Sequence, residues 1–244
     1  MRNHLEERLF FLKFNADLIV MSGLLCIAGG ILSGMTVGLF NFIGLDIENL
    51  YFEYIAIYGL ATVPVLAAYL TQNNSNLVGR VSPVIARIFS PVVLVMLVIY
   101  LAAIFYAEKD PFSNREFLLI FNLLLIGVLA ILFFSVSENS ASKKSNLEYA
   151  VLFSLSLVTT IVNLIALLAI LMRISEWGFT PNRLAVLGAN VLFLIHLIWV
   201  GFGLFRVCIQ KKKPELVEKS IAYYLPVYGI WAFIVSFLFP LIFG

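Results

Sequence analysis

Charge is what this sequence has least of. Of its 244 residues only 12% are Asp, Glu, Lys or Arg. Soluble globular domains carry roughly 25%. Histidine occurs twice and cysteine twice. Cys26 and Cys208 lie in or beside apolar runs. They have no metal-ligand spacing and make no disulfide framework, so both are expected as small buried thiols. No Gly-x-Ser-x-Gly, His-Glu-x-x-His or phosphate-binding glycine loop is present, and no pair of aspartates falls inside an apolar run. The sequence therefore implies no catalytic residue, cofactor or metal site. Its basic residues are dispersed along the flanks of apolar runs, which speaks against nucleic-acid binding.

Apolar length fills the space that charge leaves. Hydrophobic residues make up 62% of the chain, and the mean hydropathy is +1.02. A soluble protein of this size cannot hide so much apolar surface, whereas lipid removes the need to. A span of a bilayer takes about 20 apolar residues. The chain reads as one all-α domain, a polytopic membrane bundle of about seven helices. The spans fall at 18–45, 51–70, 89–107, 117–136, 149–172, 184–207 and 221–243. Residues 1–17 read as a short amphipathic segment along the membrane surface. The first apolar run is too long for a signal-peptide core and reads as an uncleaved span. Ser90-Pro91 is expected to interrupt or bend the third helix.

Orientation follows from the lysines and arginines that flank the spans. Twelve fall on the side of the N-terminus and four on the other. The positive-inside rule then puts the N-terminus in the cytoplasm and the C-terminus outside. Lys211, Lys212 and Lys213 serve as a topology signal that also attracts anionic lipid.

One stretch concentrates what the rest lacks: Arg173-Ile-Ser-Glu-Trp-Gly-Phe-Thr-Pro-Asn-Arg183. Its helix is expected to end near Met172. Gly178 offers a low-cost positive φ for leaving a helix. Thr180 followed by Pro181 reads as the start of the next one. Trp177 suits the headgroup zone. Arg183 falls in the first helical turn, where the macrodipole disfavours a cation. An anionic partner is therefore expected. Glu176 is expected to hold Arg173 or Arg183, and Glu53 or else Asp46 to reach the other arginine. Asp46, Asn49 and Glu53 share one face of an early-starting helix.

This stretch resembles the signature of a family of bacterial polytopic membrane proteins of unknown function. That family carries Arg-Ile-x-Glu-(Tyr/Trp)-Gly-(Leu/Ile/Phe)-Thr-x-Asn-Arg between two spans. Here the pattern covers Arg173 to Arg183, with Glu176, Trp177, Gly178, Thr180 and Asn182 in place. The following position is often tyrosine in the family and is Leu184 here. The family's members are usually longer, so the match is to their C-terminal part. The resemblance implies an integral protein of a bacterial inner membrane and no particular activity.

Two further features stand out within the spans. Gly30, Gly34 and Gly38 recur every four residues, which makes a smooth stripe for close helix packing, within the chain or between copies. Asn122, Asn163, Asn190 and His196 are polar groups inside spans, where such residues bond between helices or line a path. Three classes of function follow. The favoured one is a non-enzymatic membrane component that assembles through helix packing, with lipids, further copies or other membrane proteins as partners. The second is a small carrier or channel with a polar path near spans five and six. The third is an intramembrane enzyme that acts on lipid headgroups at the outer turn.

Overall fold

The computed structural model describes residues 2–73, 81–104, 106, 115–137, 145–211 and 213–243. Every regular element among them is helical. Helix α1 is Arg2–Phe42. A short α2, Glu48–Leu50, runs through a π-helical stretch, Tyr51–Ala56, into α3, Ile57–Asn73. Then follow α4 (Val81–Ile104), α5 (Arg115–Ser137), α6 (Asn146–Trp177) and α7 (Pro181–Gln210). The last span is α8 (Glu215–Phe233), a π-helical stretch (Ile234–Leu238) and α9 (Phe239–Phe243). Among the described residues, seven helical stretches are long and apolar enough to cross a membrane. The protein is an all-α, multi-pass membrane bundle.

Helix ends follow local chemistry. Ser145 caps α6, accepting the Glu148 N–H at 3.3 Å, which satisfies one of the orphan donors of a helix start. Several features differ from the sequence reading. The N-terminal segment is not a separate surface helix but the first four turns of α1. No glycine or proline falls between Arg2 and Ser22 to break it. At 41 residues α1 is about 60 Å long, twice the hydrocarbon thickness of roughly 30 Å. Ser90-Pro91 does not interrupt α4 either. The Ser90 hydroxyl donates to the Ala86 carbonyl at 2.6 Å, inside a helix whose neighbours hold it in place.

The main core joins α4 to α8 with the lower end of α1. Tyr100 sits at its centre, fully buried, edge-on to Phe40 at 5.6 Å and tilted against Phe121 at 6.0 Å. A smaller cluster of Met21, Leu25, Ala67, Leu70 and Val84 ties α1 to α3 and α4. The Tyr51 hydroxyl donates to Ser33 Oγ at 3.1 Å and pins the start of the second span on α1. Arg87 and Glu148 form an ion pair at 2.8 Å. It requires α4 and α6 to begin on the same side of the membrane. The α6–α7 hairpin is the most extensive helix pair in the bundle.

The glycine stripe of α1 divides. A Cβ on Gly38 would press on the Ile120 Cδ1 at 2.9 Å, whereas Gly30 and Gly34 have no atom within 4 Å of that position. The upper two face outward, open to lipid or to a second copy. The close helix contacts lie instead on α7, where Ser156 meets Gly201 and Val217 meets Gly203. Cys26 also faces outward and Cys208 is half-buried. The expectation of buried thiols thus fails for Cys26, because lipid tolerates a small apolar thiol as well as protein does. Gly34→Leu is expected to leave the melting temperature of the detergent-solubilised monomer unchanged, since a Cβ there has no atom within 4 Å. Cross-linking in membranes then reads the stripe: a dimer lost in the variant marks a copy-to-copy contact.

Candidate functional site

The site is built from the end of α6 and the start of α7. Helix α6 does not stop at Met172. It carries its charged segment, Arg173 to Glu176, through another turn and a half to Trp177. Gly178 ends it at φ 74°, its N–H returning to the Ile174 carbonyl at 2.9 Å. A left-handed φ of this kind favours glycine. Phe179 and Trp177 are both exposed at the turn, as suits rings at a membrane interface. Thr180 is extended, and its hydroxyl oxygen accepts the Arg183 N–H at 3.4 Å. Pro181 occupies the first turn of α7, where its missing N–H costs nothing.

Arg183 finds its counter-charge in the backbone. Its Nη1 donates to the carbonyls of Trp177 and Gly178, both at 2.8 Å. These carbonyls close the C-terminus of α6, the negative end of its macrodipole. A cation misplaced at the start of α7 is therefore well placed for the end of α6. This corrects the expected ion pairs. The Glu176 carboxylate accepts the Trp177 indole N–H at 3.2 Å. Asp46 accepts the Glu48 N–H, two residues ahead, at 3.2 Å. Glu53 is exposed on the π-helical stretch. Among the described residues none of these three acids pairs with Arg173 or Arg183. The span that carries Glu53 packs chiefly on α1, whereas the two arginines belong to the α6–α7 hairpin.

Arg173 has no hydrogen bond or ion pair among the described residues. It lines a groove of about 880 Å³ between α5, α6 and α7. The polar lining is Arg173, Arg183, Thr180, Asn182 and Asn122. The apolar lining is Ile170 and Val186 with Leu118, Leu119, Leu123 and Ile126 of α5. Leu119, Leu123 and Ile126 are also exposed on the outer surface of the bundle. The groove thus has a cationic head at the interface and an apolar wall continuous with the lipid-facing surface. Among the described residues no Asp, Glu, His or Cys lines it.

The interior polar residues separate into three places. Asn122 lies on the groove wall, its Nδ2 donating to the Leu118 carbonyl at 2.7 Å. Asn163 and Asn190 meet in the core, Asn163 Nδ2 donating to the Asn190 carbonyl at 3.1 Å. Both are fully buried. Asn163 Oδ1 and both side-chain amide atoms of Asn190 have no partner among the described residues. His196 stands elsewhere, six residues further along α7, about 9 Å along its axis from Asn190. Its Nδ1 is 2.9 Å from the Tyr228 hydroxyl. The ring lies between Phe133 at 4.8 Å and Tyr224 at 4.3 Å. Sequence reasoning missed this aromatic cage. Its available signal was Tyr224 and Tyr228, one helical turn apart at the start of the last span.

Comparison with known proteins finds no matching family model, no matching curated protein and no matching solved structure. The functional reading therefore rests on the groove itself.

Proposed function

We propose that this chain is a non-enzymatic component of a bacterial inner membrane that binds an anionic lipid through the α5–α6–α7 groove. The observation that carries the reading is the lining. Two guanidinium groups stand at the interfacial end, and lipid-exposed leucine and isoleucine form the wall below them. Guanidinium forks match phosphate oxygens in geometry as well as charge. An acyl chain along Leu119, Leu123 and Ile126 replaces the lipid that already bathes these side chains. Binding is favoured over catalysis because, among the described residues, no general acid, general base or nucleophilic thiol lines the groove. With the N-terminus in the cytoplasm, the groove faces the outer leaflet.

Melting the detergent-solubilised protein with added lipid tests this. Phosphatidylglycerol is expected to raise the midpoint by several degrees more than phosphatidylcholine, because ligand bound only by the folded state stabilises it. The difference is expected to vanish in the Arg173→Ala, Arg183→Ala double variant. Equal shifts with both lipids in the parent protein overturn the reading.

A further inference from the structure

The charge balance of the groove says which anionic lipid it holds. This step rests on the proposed lipid-binding function and goes further, to the class of headgroup. Two guanidinium groups line the groove, and among the described residues no carboxylate does. The nearest acid in sequence, Glu176, is turned to the Trp177 indole. A monoanionic phosphodiester balances only one of the two cations. A phosphomonoester carries close to two charges at neutral pH and three terminal oxygens. It has enough of both for two guanidinium forks at once.

The two arginines are not equivalent in this arrangement. Arg183 Nη1 is committed to two backbone carbonyls, which fixes its guanidinium and leaves its Nε and Nη2 donors for the ligand. Arg173 has no partner in the protein among the described residues and brings a complete fork. The Thr180 oxygen accepts from the Arg183 N–H, so its hydroxyl proton is available to a third phosphate oxygen. We propose that the groove selects a lipid with a phosphomonoester headgroup, with Arg173 as the principal binding residue and Arg183 as the arginine that also closes α6.

The experiment is native mass spectrometry of the full chain with phosphatidic acid, phosphatidylglycerol, phosphatidylcholine and free inorganic phosphate. Melting curves accompany it for the parent, Arg173→Ala, Arg173→Lys and Arg183→Ala. Phosphatidic acid is expected to bind about tenfold tighter than phosphatidylglycerol. Arg173→Ala is expected to abolish that preference while melting like the parent without lipid. Arg173→Lys keeps a charge but loses the fork, and is expected to recover only part of the preference. Arg183→Ala is expected to lower the lipid-free melting point as well, because it uncaps α6. Equal binding of phosphatidic acid and phosphatidylglycerol, both above phosphatidylcholine, overturns the monoester selection and leaves the anionic-lipid reading standing. No preference for either over phosphatidylcholine overturns both. Free phosphate binding as tightly as phosphatidic acid overturns the lipid in favour of a soluble anion.

Discussion

Gly188→Val is expected to undock the last span. A Cβ at position 188 would overlap the far edge of the Trp231 indole. Any side chain there must push the ring, and the helix that carries it, off α7. Little else holds that end of the span. Buried residues of α8 stop at Tyr224. None is buried in the π-helical stretch or in α9. Trp231 also meets Phe239 edge-on at 6.0 Å, so its displacement carries the following turns with it. Overpacking of a fitted contact typically costs about 1–3 kcal/mol, and this one involves a rigid ring. The measurement is thermal unfolding in detergent, with protease susceptibility near the C-terminus as a local readout. Gly188→Ala is expected to show the same effect more weakly. In a Trp231→Ala background, Gly188→Val is expected to add almost nothing. A Gly188→Val chain that melts and resists protease like the parent would show that the indole has another place to go.

Gly188 also shows where the sequence stops being informative. Glycines four apart on α1 have a visible period, but the upper two of that stripe touch nothing in the chain. Besides Gly38, the glycines that admit a neighbour are Gly188, Gly201 and Gly203 on α7, which share no such period. Hydropathy cannot separate them. In lipid both faces of a helix are apolar, so the pattern that marks a buried face in a soluble protein is missing. The same physics makes the spans themselves legible. Seven runs of about 20 apolar residues read as seven crossings, and among the described residues the structure has seven helical stretches able to cross. The start of α7 is legible because its cap is a side chain, at Thr180-Pro181. Gly178 is legible as an exit residue, but α6 runs on to it past Met172, where the apolar run suggests its end.

The candidate site was half legible for a related reason. The sequence shows that Arg183 opposes the dipole of its own helix and needs a partner. That the partner is a pair of backbone carbonyls leaves no mark on the sequence, because every residue has one. A search among side chains returns acids, and Asp46, Glu53 and Glu176 were the acids at hand. The groove wall was hidden in the same way. Leu119, Leu123 and Ile126 look like any other lipid-facing residues until α6 and α7 are placed beside them.

Replacing His196 with alanine is expected to be among the most damaging single changes in the bundle. The imidazole is fully buried, packed between Phe133 and Tyr224, and within 2.9 Å of the Tyr228 hydroxyl. Truncation leaves a cavity among aromatic rings and an unpaired phenol. Together these cost roughly 2–5 kcal/mol. The two contributions can be separated. His196→Phe keeps the ring volume and strands the Tyr228 hydroxyl, which costs about 1–3 kcal/mol. Tyr228→Phe keeps its own ring and strands His196 Nδ1 at a similar cost. The double variant His196→Phe, Tyr228→Phe removes both polar groups at once. It also removes His196 Nε2, a buried nitrogen without a partner among the described residues. Losing both members of a buried pair to apolar groups of like shape is nearly neutral, so the double variant is expected to melt close to the parent and above either single variant. The cycle is read by unfolding in detergent. If the double variant instead melts as low as His196→Ala, the imidazole is kept for something other than the Tyr228 bond. Nε2 is then the atom to pursue, because among the described residues it is the one polar atom of the ring without a partner.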